Sequence, residues 1–330
     1  MSPFPPSVKT PGQGRIVARR VPEGLTTVEV MSFRYPLKMI APAAFVSHKS
    51  AIVFILSYGG GLVGGDSVSI DMLVRCDSRL CLLTQGYTKV FGSDRPDKIT
   101  RQRFDIVVEA NGALCLLPDP VQPYAASIYE QTQVFTVDAS SDLCILDWVS
   151  QGRVALGENW HLRKWIGTNE IWLSESPANS SARLLVRDTV ILDASTARLS
   201  GMPLAQTMYS LGVFGTLLIR GPHMQKLAGF FIQEFEATPR IGARTWGDEA
   251  PPSSSSSNSD ASNDLAWRLQ RLSLEKKTNV TWSAARLRGC VVVKFGASTV
   301  HGAKSWLVSM LARDGTVENM FGENAMYCLR

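Results

Sequence analysis

Histidine is scarce in this chain: the 330 residues contain four, at positions 48, 161, 223 and 301, and no two are close in sequence. There is no H-E-x-x-H pair, no G-x-S-x-G elbow, and no Ser or Cys in a recognisable nucleophile setting. A hydrolase or a fixed histidine metal centre therefore has little to rest on. The six cysteines, at 76, 81, 115, 144, 290 and 328, lack any C-x-x-C spacing, which removes the usual zinc and dithiol frames. Most lie in apolar runs such as "ALCLLP" and "DLCILDW" and read as reduced core residues. No apolar run approaches the ~18 residues of a membrane span, and the N-terminal "MSPFPPSVKTPGQGRIVARR" has no apolar core. A soluble, cytoplasmic protein without membrane contact is expected, with residues 1–20 as a flexible N-terminal segment. The net charge of +5 is spread along the chain, so no basic stripe for nucleic acid emerges.

What the chain has in quantity is strand pattern. With 45% hydrophobic residues it can bury a large core. Close-spaced candidates include 27–33, 51–58, 68–75, 80–85, 99–109, 113–117, 127–137, 143–149, 170–174 and 182–192, joined by Gly, Pro, Asn or Asp. Helical periodicity is missing before residue 220, so βαβ units are excluded and the fold reads as mainly β in a single domain, 1–330. Two helices follow. One starts near His223, with Met224, Leu227, Ala228, Phe231, Ile232 and Phe235 on one face. The other runs from about Val300 to Arg313, capped by Ser298 or Thr299. Between them, 248–264 is Pro/Ser-rich and is expected to be a disordered insertion.

The stretch "GGGLVGGD", Gly59–Asp66, carries Gly59-x-Gly61-x-x-Gly64 after an apolar strand, which is how a dinucleotide-binding unit opens. The sequel "SVSIDMLVRC" alternates with period 2, so a strand follows where that unit needs a helix, and the nicotinamide reading fails. A phosphate-binding P-loop fails as well, because Asp66 and Ser67 stand where it needs Lys then Ser or Thr. Other polar groups beside apolar strands are Thr88, Lys89, Asp119, Tyr124, Asp147, Arg153 and Glu158. Singly, each has a structural explanation: Asp caps turns and Arg153 can pair with Glu158. Together they place carboxylates next to hydrophobic strands, where ionised groups are costly unless paired or ligated.

Four motifs in this order, "GGLVGGD", "TQGYTKVFGS", "LPDPVQPYAASIYEQ" and "LDWVSQGRVALGE", resemble those of the urease accessory proteins called UreD, or UreH in some bacteria. The likeness is strongest over Ser57–Glu158 and weaker at "RDTVIL", "GTLLIRGP" and "RLRGCVVVKFGA". The Ser-rich insertion and the C-terminal "ENAMYCLR" depart from bacterial members and imply a eukaryotic, fungal-like version.

The resemblance implies an elongated, β-helix-like stack of strands with two helices in the C-terminal third and no catalytic activity. It implies a hetero-oligomer with a UreF-like protein, through it a UreG-like GTPase, and apo-urease, with nickel in transit rather than a resident cofactor. Asp66, Asp147 and Glu158 are the implied transient nickel ligands. Gly60, Gly61, Gly64, Gly65, Thr88, Lys89, Tyr124 and Arg153 are the implied motif and partner positions. A β-scaffold of some other complex explains the composition equally well.

Overall fold

Through the middle of this chain, successive strands pass back and forth between two sheets. The structure, a computed structural model, describes residues 10–42, 49–176, 179–199, 201–238 and 258–330. The chain opens with β1 (Gln13–Arg20) and β2 (Thr26–Phe33) in a first sheet, then β3 (Leu37–Ile40) and β4 (Ala51–Ser57) in a second. It then alternates: β5 (Ser67–Val74) lies in the first sheet, and β6 (Arg79–Thr84) and the short β7 (Thr88–Val90) in the second. β8 (Thr100–Val108) returns to the first, β9 (Ala113–Leu116) and β10 (Val121–Pro123) to the second, β11 (Ile128–Val137) to the first, β12 (Asp142–Ser150) to the second and β13 (Lys164–Ser176) to the first.

The pairs β4–β6, β6–β9 and β9–β12 are parallel, and so are β5–β8, β8–β11 and β11–β13. Parallel neighbours need a crossover, usually a helix. Here each crossover is a strand of the opposite sheet, which gives the β-helix-like winding. Antiparallel strands complete the sheets. β14 (Asn179–Asp193) pairs with β13, and β15 (Val213–Arg220), β16 (Thr281–Leu287) and β17 (Cys290–Ala297) extend the second sheet beyond β12.

The burial patterns follow from this layering. Along β11 the residues alternate between buried and half-buried, because one face meets the second sheet and the other faces outward. β12 is buried at every position. Its Leu143, Ile145 and Val149 enter the core between the sheets, while Cys144, Leu146 and Trp148 enter a second core beneath the helices. That helical layer consists mainly of α3 (Gln225–Glu236), α4 (Asn258–Thr278) and α5 (Val300–Asp314). It follows the small α1 (Ala194–Leu199) and α2 (Leu204–Thr207), and α6 (Thr316–Phe321) comes last. Thr299 caps α5 by accepting the Gly302 N–H at 3.0 Å, and Gly315 ends it at φ 77°.

Three expectations need adjustment. From Gln13 the chain is strand rather than flexible segment, since Ile16 and Ala18 are fully buried; residues 1–9 lie outside the described part. Residues 248–257 of the Ser-rich stretch also lie outside it, but from Asn258 the chain is helical. The third long helix was hidden because its apolar positions are few. Trp267 and Leu274 pack against the second core, and polar contacts add to that hold: Arg268 and Arg271 bond the buried Glu234 of α3, and Asp264 pairs with Arg313 of α5. Five cysteines are buried as expected, whereas Cys76 is exposed.

Phe231 of α3 is fully buried and packs edge-on against Trp282 and Trp306. Phe231→Ala is expected to cost about 3–5 kcal/mol, measured by urea unfolding; a cost near zero would contradict its place in the core.

Candidate functional site

From β4 to β13, every crossover from the first sheet to the second is short, and every return is long. Residues 75–78, 109–112 and 138–141 make the short turns at one end of the stack. Asp77 and Asn111 adopt left-handed backbone there at φ 58° and 55°, which suits Asp and Asn in tight turns. The returns, 58–66, 85–99, 117–127 and 151–163, all lie at the opposite end. The four sequence motifs lie in these returns and in the strand ends that border them. Segments far apart in the chain thus become neighbours along one edge.

The first two loops pack backbone to backbone. The Leu62 N–H donates to the Lys89 carbonyl at 2.8 Å and the Phe91 N–H to the Leu62 carbonyl at 2.8 Å. A Cβ on Gly61 would stand 2.5 Å from the Phe91 ring, and one on Gly64 would stand 2.7 Å from Ser93 Cβ. Gly60 and Gly65 hold φ values of 77° and 96°, which glycine adopts without strain. Asp66 closes this turn: its carboxylate accepts the Val63 N–H at 2.9 Å while its own N–H reaches the Val63 carbonyl at 3.0 Å. Asp66 is therefore a turn cap at the edge, with one carboxylate oxygen committed to that bond.

Thr88 and Lys89 of β7 pair in parallel with Val121 and Gln122 of β10. Both line a cleft of about 240 Å³ opening between the first two loops. In the fourth loop, Arg153 Nε donates to Glu158 Oε1 at 3.0 Å, and the Arg153 backbone N–H donates to Oε2 at 2.8 Å. Burial pushes the Glu158 carboxyl up, but the hydrogen bonds from the Arg153 side chain and from the backbone of Arg153 and Ala125 outweigh it and hold the group below its usual value. The guanidinium also sits 4.0 Å over the Tyr124 ring, which meets Phe91 edge-on at 5.2 Å. Arg153, Glu158 and Tyr124 form one self-satisfied lock. Asp119 is tied to Lys304 of α5 at 2.7 Å and accepts the Gly86 N–H at 3.1 Å, which fixes the second loop to the helical layer.

Behind the cleft, polar side chains cross the apolar interior. Asp147 of β12 is 7% exposed and points between the sheets with Ile145 and Val149. Gln131 Nε2 donates to its Oδ1 at 2.8 Å and Asn169 Nδ2 to its Oδ2 at 2.7 Å. Gln131 Oε1 in turn accepts from Tyr129 Oη at 3.1 Å and Gln102 Nε2 at 3.4 Å. A cavity of about 40 Å³ borders Thr84, Thr88, Gln102, Gln131, Gln133 and Asp147, and it shares Ile55, Thr88 and Gln102 with the outer cleft. Gly167 leaves room here, since a Cβ would lie 3.2 Å from Asp147 Oδ2. Two buried carbonyl oxygens, Gln133 Oε1 and Asn169 Oδ1, have no hydrogen-bond partner among the described residues. Burial drives the Asp147 carboxyl above its usual value, opposed by the Asn169 and Gln131 bonds. Among the described residues no three His, Cys, Asp or Glu side chains converge, so the oxygen donors of this seam are carboxylates supplemented by amides and hydroxyls.

Of the residues singled out by sequence, Asp147 and Thr88 enter the seam, whereas Asp66, Glu158, Arg153, Tyr124 and the glycines shape the loops above it. Gln102, Gln131, Gln133, Asn169 and Asp188 were missed. A signal existed: in β11 the inward row Tyr129, Gln131, Gln133, Phe135 puts two amides where period 2 calls for apolar side chains.

The model of the family described as UreD urease accessory protein matches residues 10–327. The chain belongs to the UreD family. It is 30% identical to the Schizosaccharomyces pombe protein described as an uncharacterized urease accessory protein ureD-like, over 88% of this chain and 90% of that protein. Identity to urease accessory protein 4 of Cryptococcus neoformans is 29%, over 88% and 86% of the two chains. A bacterial UreD, from Sorangium cellulosum, is 33% identical over 66% of this chain and 64% of its own. Two fungal relatives over most of the chain agree with the expected fungal-like membership, and the family is that of an accessory protein. The glycine turn of this UreD protein leads into β5, so the helix a nicotinamide site requires is replaced by a strand. No helix among the described residues is long and apolar enough to cross a membrane.

Because the folded state holds the Asp147 proton more tightly than the unfolded chain, its contribution to stability falls as pH rises from about the ordinary value of 3.8. Asp147→Asn removes that dependence, and Asn169 can turn its free carbonyl toward the new amide. The stability of the variant relative to the native protein is therefore expected to increase with pH, measured by urea unfolding across pH 4 to 8. A difference that stays constant would show Asp147 to be unperturbed.

Proposed function

We propose that the protein assists nickel insertion into apo-urease as a non-catalytic member of a cytoplasmic hetero-oligomer. The complex contains a UreF-like protein, and a UreG-like GTPase is held through it. The observation that carries this reading is the polar seam, which runs from the cleft between the motif loops into the space between two otherwise apolar sheets. Ni²⁺ accepts carboxylate, carbonyl and water oxygens. A row of sites each offering one carboxylate and a few amide oxygens binds weakly enough to pass an ion onward. A three-carboxylate or histidine cage would trap it. In this scheme Asp66 adds negative charge near the mouth while capping its loop, Glu158 holds the fourth loop through Arg153, and Asp147 is the interior ligand.

The motif edge also supplies apolar surface for partners. Val63, Val154, Leu156 and Tyr209 are 51%, 62%, 68% and 80% exposed. The loops carrying the last three are joined, since the Gln151 N–H donates to the Gly212 carbonyl at 2.9 Å and Trp160 Nε1 to the Leu211 carbonyl at 2.7 Å. Apolar side chains of this size grouped on one edge are characteristic of docking surfaces.

Asp147→Asn is expected to lower urease nickel content and activity in cells by about tenfold or more, with co-purification of the UreF-like protein unchanged. Asp66→Asn, which preserves the turn cap, should lower them less. Normal nickel content in cells carrying Asp147→Asn, with the complex intact, would remove the interior route; loss of the complex in Asp66→Asn would assign that residue to partner binding.

A further inference from the structure

Beyond Asp147 the seam does not end in apolar core. Thr216 of β15 stands directly opposite Asp147 in the second sheet, and Lys294 of β17 directly opposite Thr216. From the first sheet, Asp188 of β14 stands opposite Asn169. The Lys294 ammonium donates to Asp188 Oδ1 at 2.5 Å, to Asp188 Oδ2 at 2.6 Å and to Thr216 Oγ1 at 2.7 Å. Thr216 Oγ1 also donates to Asp188 Oδ2 at 3.0 Å. Side-chain exposures of 15% for Asp188 and 29% for Lys294 show that this end of the seam approaches solvent. It lies across the sandwich from the cleft at Thr88 and Lys89.

Three oxygens from two sheets thus converge on one positive nitrogen. The neighbouring Asn169 is 1% exposed, and its Oδ1 has no partner among the described residues. An unpaired buried carbonyl oxygen is unfavourable, and this one belongs to an amide that already bonds Asp147 and faces Asp188 across the ladder. Removing the ammonium would leave the two Asp188 carboxylate oxygens and the Thr216 hydroxyl around the vacated position, with Asn169, opposite Asp188, and Asp147, opposite Thr216, as the next oxygen donors along the seam. That donor set suits a divalent cation taking oxygen ligands.

We propose that the Lys294 ammonium occupies a divalent-cation site at the outer end of the seam, and that a metal ion takes the site by displacing it. The inference rests on the nickel-route reading only for the identity of the ion. Two consequences follow from the chemistry of lysine. The ammonium neutralises Asp188 when no metal is present, which avoids an uncompensated half-buried carboxylate. Its flexible four-carbon stem lets it swing toward solvent and return, so it competes with the metal and shortens its stay. Lys294 is in this sense a positioning and release residue, and the site passes its ion on.

The test uses the purified full chain with Ni²⁺ alone, without urease or partners, by equilibrium dialysis and thermal unfolding. Lys294→Met is expected to bind Ni²⁺ about tenfold more tightly than the native protein or better, and to gain melting temperature on adding Ni²⁺. Adding Asp188→Asn to Lys294→Met should abolish both gains. An affinity equal to that of the native protein in folded Lys294→Met, or a gain that survives Asp188→Asn, would overturn the proposal. If Lys294→Met folds only when Ni²⁺ is added, that rescue supports the site. If it does not fold even then, Lys294→Gln, which keeps an N–H toward Asp188, is measured in the same way, and an unchanged affinity overturns the proposal. Failure here leaves the role of Asp147 in nickel delivery standing, and normal delivery in Asp147→Asn cells leaves this site standing.

Discussion

Two strands that run parallel side by side cannot be joined by a tight turn, and among the described residues no α-helix lies between β4 and β13 to carry the chain back. Each return must then be made by another strand, and the only place that strand can satisfy its backbone is a second sheet. From β4 to β13 this constraint governs every element. It fixes the alternation between sheets, makes all turns of one kind short and all of the other kind long, and gathers the long ones along one edge. The loops at 58–66, 85–99, 117–127 and 151–163 are neighbours for that reason, although almost a hundred residues separate the first from the last.

The same winding stacks inward side chains in rows across the strands. In most rows they are apolar, and the core between the sheets is made of residues such as Ile70, Phe104, Ile106, Leu116 and Ile145. Two rows of the first sheet are polar over part of their length: Gln102 with Gln131 in one, and Gln133, Asn169 and Asp188 in the next, which turns apolar at Phe104 and Ile70. A single buried amide or carboxylate would be costly, but a continuous line of them satisfies most of its members by mutual hydrogen bonds. What stays unsatisfied, Gln133 Oε1 and Asn169 Oδ1, lies along that line and offers acceptor capacity to a passing cation.

The helices serve the second sheet rather than forming a site of their own. They cover the far side of β12 and β15 with Phe231, Trp306, Leu307 and Met310, which is why those strands are buried on both faces. They also reach the motif edge. Lys304 of α5 holds Asp119, and Asp119 holds Thr84 and Gly86 through hydrogen bonds of 3.3 and 3.1 Å. The loop beside the seam is thereby tied to a residue 185 positions away.

Local pattern by itself determined the strand content, the places of α3 and α5, the rejection of a dinucleotide turn at Gly59–Gly64, and the four motifs with their family likeness. Period-2 alternation, cap residues and glycine turns are short-range features, and they act through contacts a few residues apart. The N-terminal strand and α4 escaped notice because each depends on distant partners: Ile16 on the core between the sheets, and Arg268 and Arg271 on Glu234. The division of labour among the polar residues was likewise decided only in three dimensions. Asp66, Asp147 and Glu158 look alike in sequence, each an acid beside an apolar run. The fold makes the first a turn cap and the last half of an ion pair, and leaves Asp147 in the interior. Which way an acid faces, and whether an arginine or an amide meets it, is settled by strand register between residues far apart in the chain, and Lys294 meets Asp188 across 106 residues only because two sheets bring them together.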